Sequence, residues 1–381
     1  MIVLLDATYP YQMSYLNYWK DAWREKFGKE IIDFNILKVG DSRQLNKIIK
    51  SARLIVMLHS CTADTNLFLE SIKYSLQSRK CPLVTFIGNE YNSPTLSIER
   101  RLENLREIRP EVIASQLNED SAKWLYEGSG EKIISIPHGM PKLTPRVKRK
   151  VDFTYLGFRY PSYIFGSERN NLIEGILDCF ESRRLKIEFS YDKRLSRDKW
   201  IALLNTSKIT ASTEAGANRI FKTDDIWKHF NGSGISISSD SRVLHRARRL
   251  PSGIKRPLRK MVISLGLNYG SLEKKDVQVN LFGGNSFSEL ESRNGLCISS
   301  RHLEAVSAGC WQILYKGDYS GILKADSHYT EVKFLDRSNL EDAVDAAIEI
   351  ANGEKPWQVR EELYEAHSYQ ARVAKIIENL P

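Results

Sequence analysis

The chain has 381 residues, 42% of them hydrophobic and 27% charged, a composition that is ordinary for a globular protein and excludes a disordered or fibrous one. Its length favours two domains, because single hydrophobic cores stop growing at roughly 250–300 residues. The formal net charge of +9 favours an anionic partner, such as nucleic acid, a lipid headgroup or a phosphorylated substrate, without choosing among them.

Three features bear on cellular location. The five cysteines have no metal-ligand spacing, and reduced, buried thiols are their simplest interpretation. Residues 1–6 form an apolar segment too short for a signal peptide. No apolar run approaches the ~20 residues that a membrane span needs. We therefore expect a cytoplasmic protein, with peripheral contact at the inner face of the membrane left open.

The first part of the chain alternates between strands and helices. Apolar strands are predicted at residues 2–6, 31–37, 54–59, 82–88, 112–114 and 133–137, with helical periodicity between them. The first helix, 15–27, carries its large apolar residues on one stripe. This alternation predicts a parallel, Rossmann-like sheet over residues 1–140.

A proline-bearing basic linker, residues 141–150, interrupts the alternation, which then resumes. Strands at 153–156, 187–191, 209–212 and 311–315 and the helices between them predict a second Rossmann-like domain over 151–355. Residues 232–291 fit neither neighbouring unit and form a basic insertion. Residues 357–380 have the periodicity of one long last helix, so 356–381 is predicted as a C-terminal helix. Two such halves also occur in some epimerases and in periplasmic binding proteins, although the latter need a signal peptide.

The most informative stretch lies at residues 299–314 and reads SSRHLEAVSAGCWQIL. A short helical turn carrying Glu304 ends at a glycine and runs into an apolar strand, which places the glutamate beside the carboxyl ends of a sheet, where nucleotides bind. The stretch resembles the donor-binding signature S-R-x-F-E-A-x-x-x-G of bacterial glycosyltransferases with the GT-B fold. The resemblance is strongest over residues 153–215 and 298–348.

The resemblance implies a fold and an activity. The fold is α/β, with two Rossmann-like, doubly wound domains facing each other across a cleft and a C-terminal helix packing back on the first domain. The second domain binds a nucleotide-sugar donor, and the first binds a saccharide or lipid-linked acceptor. The family acts mostly in the biosynthesis of bacterial surface polysaccharides, including lipopolysaccharide and capsule. Its members usually stabilise the departing diphosphate without a metal or other cofactor, through basic side chains and helix amides.

The same resemblance implies donor-binding residues. Glu304 accepts hydrogen bonds from the ribose hydroxyls, while many family members carry a further glutamate where this chain has Leu296. Arg301 and His302 are expected beside the diphosphate, at the start of the helix. Further donor contacts are expected from loops that follow strands; these candidates are Gly157, Arg159, Gly216 and Gly321.

Polar residues that end strands are candidates for the catalytic base that deprotonates an acceptor hydroxyl. In the first half these are Asp6, His59 and Glu90, with His138 as a further cleft residue; each is alternatively structural. Glu214 follows the strand at 209–212 and is a candidate for contact with the sugar or the acceptor. The acidic pair at 224–225 has no second ligand cluster beside it, so no metal site is predicted.

The basic, aliphatic stretch 242–265 is the best candidate for contact with an anionic membrane surface. It is alternatively a solvated insertion or a site for a phosphorylated sugar. A nucleic-acid-binding protein is a rival interpretation of the charge, and a non-catalytic nucleotide-sugar-binding protein is a rival interpretation of the fold. No zinc, helix-turn-helix or RNP-type pattern occurs, so we expect no nucleic-acid partner.

Overall fold

A computed structural model describes residues 1–8, 14–38, 42–63, 65–93, 96–142, 145–160, 166–191, 195–226 and 290–381. The basic stretch 242–265 lies outside the described residues, as does nearly all of the insertion predicted at 232–291. The predicted membrane surface therefore has no structural counterpart to report.

The first domain is built on a six-stranded parallel sheet of order β2-β1-β3-β4-β5-β6. The strands are β1 (Ile2–Asp6), β2 (Ile31–Asn35), β3 (Leu54–Met57), β4 (Leu83–Phe86), β5 (Val112–Ser115) and β6 (Lys132–Ser135). The helices are α1 (Ser14–Phe27), α2 (Ser42–Ser51), α3 (Ser60–Ala63), α4 (Asn66–Gln77), α5 (Ile98–Ile108) and α6 (Glu119–Leu125). Every residue of β1, β3, β4 and β5 is buried, because helices cover both faces of a parallel sheet.

The second domain has a five-stranded parallel sheet of order β13-β12-β9-β7-β8. Its strands are β7 (Val151–Leu156), β8 (Ile187–Ser190), β9 (Ser207–Ser212), β12 (Trp311–Tyr315) and β13 (Thr330–Val332). Its helices are α7 (Ser167–Ser182), α8 (Arg197–Thr206), α9 (Ser300–Ser307) and α10 (Arg337–Ala351). The two parallel sheets with their helices confirm the predicted pair of Rossmann-like domains.

A separate two-stranded antiparallel ribbon, β10 (Ala215–Phe221) paired with β11 (Ser292–Cys297), belongs to neither sheet. Its strands are connected through residues 227–289, which lie outside the described part of the chain. Ile220 of β10 is buried in a hydrophobic cluster whose other members all belong to the first domain. The sequence analysis did not predict this ribbon.

The C-terminal segment returns to the first domain, as predicted, but it forms two helices where one was predicted. These are α11 (Lys355–His367) and α12 (Tyr369–Ile377), separated by the extended residue Ser368. The backbone N–H of Met140 donates to His367 O at 2.7 Å, and the N–H of Tyr369 donates to Met140 O at 3.2 Å. A Cβ on Gly139 would lie 2.6 Å from the Tyr369 nitrogen, so a glycine is required where the two segments cross. These two hydrogen bonds with Met140 take the place of helical backbone hydrogen bonds between α11 and α12.

The buried face of α12 explains why this helix packs against the first domain. Tyr369, Val373 and Ile376 are buried with Trp19 and Trp23 of α1 against the sheet. Burial of large apolar side chains is the main stabilising term for such packing. Apolar residues of the predicted helix are therefore buried, although the helix is interrupted at Ser368.

Candidate active site

The carboxyl edge of the second sheet contains the point where strand order reverses. β8 and β9 lie on opposite sides of β7, so the loops after β7 and β9 diverge and leave a crevice between them, the usual ligand position in such sheets. Three neighbouring strands, β7, β9 and β12, end at this crevice. Helix α9, which carries the signature residues, begins beside it.

Arg169 lies in this crevice, and the sequence analysis did not single it out. Its Nε donates to Thr213 Oγ1 at 2.5 Å, and its Nη2 donates to the carbonyl oxygen of Glu214. Its guanidinium carbon lies 3.6 Å from the centre of the Tyr160 ring. The residue is 5% exposed, and its buried Nη1 has no hydrogen-bond partner among the described residues.

The signal for Arg169 was its place in the first turn of α7. A cation in the first turn of a helix is unfavourable because it opposes the helix dipole, so an arginine at this position is unusual. Because its partners lie far away in the chain, that exception alone did not identify a site.

Glu214 connects the loop after β9 to the loop after β12. Its Oε1 accepts from the Tyr319 N–H at 2.9 Å, and its Oε2 accepts from the Asp318 N–H at 3.3 Å. Burial raises the pKa of this carboxyl, and the two backbone donors oppose that shift. The predicted candidate therefore lies in the crevice as a buried acceptor between two strand ends.

Glu304 is 1% exposed on α9. Its Oε2 accepts a 2.8 Å hydrogen bond from Trp200 Nε1 of α8. Its negative charge contributes, after burial, to raising the pKa of Tyr18 in the first domain, so the carboxylate lies near the boundary between the domains. The role of Trp200 was not predicted, because nothing in its local sequence connects it to α9.

Arg301 and His302 differ in their surroundings. Arg301 is half-buried, donates from Nη1 to the carbonyl oxygen of Leu156 at the end of β7, and lies 5.5 Å from the Trp200 ring centre. His302 is fully buried, and its Nδ1 accepts from the Ser299 N–H at 3.0 Å. Burial, assisted by nearby Arg169, lowers the pKa of His302 to about 3, so its imidazole is neutral at neutral pH.

The remaining donor-site candidates are distributed more widely. Gly216, the second residue of β10, has φ +84° and faces the carbonyl of Gly295. This conformation and this close approach exclude residues with a side chain. Gly157 follows β7 directly, and Gly321 ends a turn beyond β12. Arg159 has a 67% exposed side chain that pairs with Glu174 of α7 at 3.0 Å, so the structure places it at the surface.

Two first-domain candidates lie where strand order reverses between β1 and β3. Asp6 is 1% exposed, forms an ion pair with Lys20 of α1, and accepts from Thr8 Oγ1 at 2.7 Å. His59 is fully buried, and neither ring nitrogen has a hydrogen-bond partner among the described residues. Burial, with His138 as a smaller cause, lowers the pKa of His59 well below its usual range.

His138 lies beside His59, with ring centroids 4.9 Å apart. Its Nδ1 accepts from Trp19 Nε1 at 3.2 Å, and burial lowers its pKa to about 3. Tyr15 of α1 contacts both imidazoles, at centroid distances of 5.5 Å and 4.4 Å. The structure therefore brings together two candidates that the sequence placed at the ends of different strands.

Glu90 has a different environment. Its carboxylate accepts from Ser115 Oγ at 2.6 Å, the Gln116 N–H at 2.6 Å and Tyr126 OH at 2.8 Å. Burial raises its pKa, and these three donors oppose the shift. These three donors all belong to the first domain, where Glu90 connects the loop after β5 to the end of α6.

Two further properties concern the described residues as a whole. They contain no group of three or more His, Cys, Asp or Glu side chains that is arranged to hold a metal ion. Asp224 instead accepts from Ser97 Oγ and, at 3.0 Å, from the Ile98 N–H at the start of α5. No described helix combines the length and apolar character required to cross a membrane.

Comparison with known proteins bears on the fold. No protein-family model and no curated protein sequence matches the chain. Several solved structures do match over nearly its whole length. HepE of Anabaena, in complex with UDP and glucose, is 11% identical with a TM-score of 0.51, and the match covers 100% of this chain and 99% of that one.

Two other solved structures give the same result. An alpha-glucosyltransferase in complex with UDP and a 13-mer DNA is 8% identical with a TM-score of 0.52, over 99% of this chain and 98% of that one. An alpha,alpha-trehalose-phosphate synthase (UDP-forming) from Burkholderia vietnamiensis is 8% identical with a TM-score of 0.50, over 99% and 95%. The chain thus shares the fold of these proteins, which agrees with the two-domain GT-B architecture predicted from the sequence.

Proposed function

We propose that the protein is a glycosyltransferase that moves a sugar from a nucleotide-sugar donor in the second domain to an acceptor in the first. The observation that carries the proposal is the buried Nη1 of Arg169 in the crevice of the second sheet, which has no hydrogen-bond partner among the described residues. An unsatisfied buried donor costs about 1–3 kcal/mol, and an anion bound there would recover that cost. The diphosphate of a nucleotide sugar is such an anion, and an arginine that binds it favours its departure.

Two buried carboxylates of the second domain, Glu304 and Glu214, suit the rest of a nucleotide sugar. A carboxylate has about four acceptor sites, and we propose that Glu304, which accepts from Trp200, also accepts from the ribose hydroxyls. Glu214 lies between the ends of β9 and β12 and is suited to contact the sugar. Arg301 contributes positive charge at the first turn of α9. The other predicted donor-binding residues remain predictions: Gly157, Gly216, Gly321, His302 and Arg159. Arg159 has the weakest support of these, because its side chain is exposed and pairs with Glu174.

The transfer forms a bond between an acceptor oxygen and the anomeric carbon, breaks the bond to the diphosphate, and releases one proton from the acceptor. Of the first-domain candidates, we propose His59 as the group that takes this proton, because burial keeps its imidazole neutral and neither ring nitrogen has a hydrogen-bond partner in the described part of the chain. Asp6 is held in an ion pair with Lys20. Glu90 is satisfied by three donors, which favours a structural role.

For the acceptor, we propose a saccharide or lipid-linked saccharide of bacterial surface polysaccharide biosynthesis. The support is the sequence resemblance and the basic stretch 242–265, in which each Lys or Arg near an anionic bilayer is worth roughly 1 kcal/mol. Sedimentation with vesicles of anionic and neutral lipid at low salt tests the membrane part. Equal sedimentation with both vesicle types would reject it.

A thermal-shift panel of UDP, GDP, ADP, CMP, dTDP and their sugars tests the donor site. A ligand that binds only the folded state raises the melting temperature, so we expect one nucleotide class to stabilise the protein. Arg169→Ala and Glu304→Ala should remove that shift. Arg183→Ala should retain it, because Arg183 directly follows the far end of α7 and pairs with Asp345 at the surface. No shift with any nucleotide, combined with salt-sensitive binding of DNA, would favour the nucleic-acid alternative.

A further inference from the structure

The ribbon of β10 and β11 connects the donor crevice to the first domain. It leaves the second domain directly after Glu214 and returns to it directly before α9. Its other end, at the pair Phe221 and Ser292, lies against the first domain. A ribbon strand of six residues spans roughly 20 Å, so the ribbon joins two regions that the domain boundary otherwise separates.

Asn92 of the first domain holds the outer end of the ribbon. Its Oδ1 accepts from the Phe221 N–H at 2.9 Å, and its Nδ2 donates to Phe221 O at 3.2 Å. The Asn92 amide thereby pairs with both the backbone N–H and the backbone C=O of Phe221, as a residue on a neighbouring strand would. Asn92 is 5% exposed and Phe221 is 1% exposed, so water does not readily replace these bonds.

Three more contacts attach the ribbon to the first domain. Ser121 Oγ donates to Asn294 O at 2.7 Å. Asp224, just beyond β10, accepts from the Ile98 N–H at the start of α5. Ile220 is buried in the first-domain core. The outer end of the ribbon therefore belongs physically to the first domain, although both strands lie in the second half of the sequence.

The inner end of the ribbon is continuous with the crevice. Ala215 pairs with Cys297, Glu214 precedes Ala215, and Ser299 begins the turn into α9. The Glu214 carboxylate holds the Asp318 and Tyr319 N–H groups. Displacement of the ribbon must therefore displace Glu214 and α9, because paired strands and packed interiors transmit strain rather than absorb it.

We propose that the ribbon sets the geometry of the donor crevice according to the position of the first domain, with Asn92 as the positioning residue. Asn92 contacts neither Glu214 nor α9 and acts on them through the ribbon. The inference rests on the proposed function only in naming the crevice as a donor site. The coupling itself is mechanical, and it is measurable in the protein without any nucleotide.

Hydrogen exchange of the full-length protein, followed by mass spectrometry, tests the proposal. In Asn92→Ala, we expect the amides of Asp318 and Tyr319 and those of α9 to exchange about tenfold faster, because losing the Phe221 bonds lets the ribbon open locally. Ser121→Ala removes a single bond to the ribbon and should produce a smaller change at the same amides.

Asn35→Ala is the matched control. The Asn35 amide also makes three hydrogen bonds, to Thr8 O, Thr8 Oγ1 and the Leu37 N–H, all within the first domain. We expect this variant to lose comparable stability without faster exchange in the crevice. The proposal would be overturned if Asn35→Ala and Asn92→Ala changed the exchange rates in the crevice equally. It would also be overturned if neither Asn92→Ala nor Ser121→Ala changed the exchange rates of Asp318 and Tyr319. Because no nucleotide is used, this outcome is independent of whether the protein transfers a sugar.

Discussion

Trp200 Nε1 donates a 2.8 Å hydrogen bond to Oε2 of Glu304. The bond crosses from α8 to α9 and orients the carboxylate that the sequence analysis singled out. The same indole ring lies 5.5 Å from the guanidinium carbon of Arg301. One tryptophan therefore supports both signature residues of α9 that bear charge.

The first prediction concerns this bond. Trp200→Phe keeps an aromatic ring and deletes the indole N–H, so Glu304 loses this hydrogen bond and becomes less well oriented. We expect nucleotide affinity to fall about tenfold, the equivalent of roughly 1.4 kcal/mol for a hydrogen bond to a charged group, in calorimetric titration with the most stabilising nucleotide. Trp311→Phe, which deletes a 2.8 Å indole bond to Thr330 in the same domain, is the control. Similar affinities for the Trp200 variant and the wild type would contradict the prediction.

The second prediction concerns Nη1 of Arg169, which has no partner among the residues that the structure describes. Arg169→Lys keeps the charge but loses the planar fork that bonds Thr213 and Glu214 while leaving Nη1 for a ligand. We expect affinity for a nucleoside diphosphate to fall about 10–100-fold, and affinity for the corresponding nucleoside to stay unchanged. Titration of both ligands into the wild type and the variant measures the difference. Equal losses for both ligands would show that Arg169 acts only through the fold.

The third prediction concerns the linker. The Arg149 guanidinium donates to Leu204 O, Asn205 O and Ser207 O at the end of α8, and to Ala308 O and Gly309 O after α9. It lies 4.4 Å from the Trp357 ring. Because one half-buried guanidinium donates to five carbonyl oxygens at the ends of two helices, Arg149→Ala should lower the unfolding free energy by about 3 kcal/mol or more.

Urea unfolding of Arg149→Ala checks this value, and Arg146→Ala is the matched control. Arg146 belongs to the same linker and lies 5.0 Å from the Trp357 ring, but its side chain is 52% exposed and pairs with exposed Glu354. Exposed pairs contribute about 0–1 kcal/mol. Similar losses in the two variants would refute the capping role of Arg149.

The fourth prediction concerns acid stability. Burial lowers the pKa of His138 from 6.5 to about 3, so below pH 6.5 the unfolded chain binds a proton that the folded protein excludes. This stability is complete above pH 6.5 and is lost as the pH falls toward 3, by about 1.4 kcal/mol per pH unit. The unfolding free energy of His138→Gln should therefore decline less steeply between about pH 6 and 4.

Urea titrations of the wild type and His138→Gln across this range measure the two slopes. The comparison matters because Glu90 and Glu214, whose pKa values are raised, contribute in the opposite direction and cancel between the variants. Parallel curves would mean that His138 is protonated in the folded state. Above pH 7 the slopes should coincide.

The fifth prediction concerns metals. If Arg169 and α9 supply the positive charge for the diphosphate, treatment with EDTA should leave the rate of transfer unchanged, and added Mg²⁺ should not increase it. The measurement is release of the nucleotide from the donor sugar with the acceptor present. A rate lost on chelation and restored by Mg²⁺ would show that a metal ion takes part.

Some features of the site follow from local sequence. The alternation of apolar strands and amphipathic helices predicted both sheets, and the resemblance around Glu304 predicted a helix beside a strand end. These features depend on periods of two and 3.6 residues, which neighbouring residues determine together. Strand ends were predictable for the same reason, so Glu214 and His59 were placed at sheet edges correctly.

Other features depend on contacts between residues far apart in the chain. The long C-terminal helix was predicted from a continuous apolar stripe. Ser368 is nevertheless extended, because Met140 forms backbone hydrogen bonds with His367 and Tyr369 on either side of it. Arg169 had no local partner to mark it. The membership of the ribbon in the first domain depends on Asn92, 129 residues from Phe221.

The sequence by itself thus determined the fold class, the linker and the positions of most charged candidates along the strands, because hydrophobic period and turn chemistry are local. Only the tertiary structure decided which candidates meet. It grouped Arg169 with Glu214, oriented Glu304 through Trp200, enclosed Glu90 among three donors and left Arg159 in solvent. Burial and hydrogen-bond partners are properties of the packed chain, and they decide which charged side chains are neutralised in the interior and which stay available to a ligand.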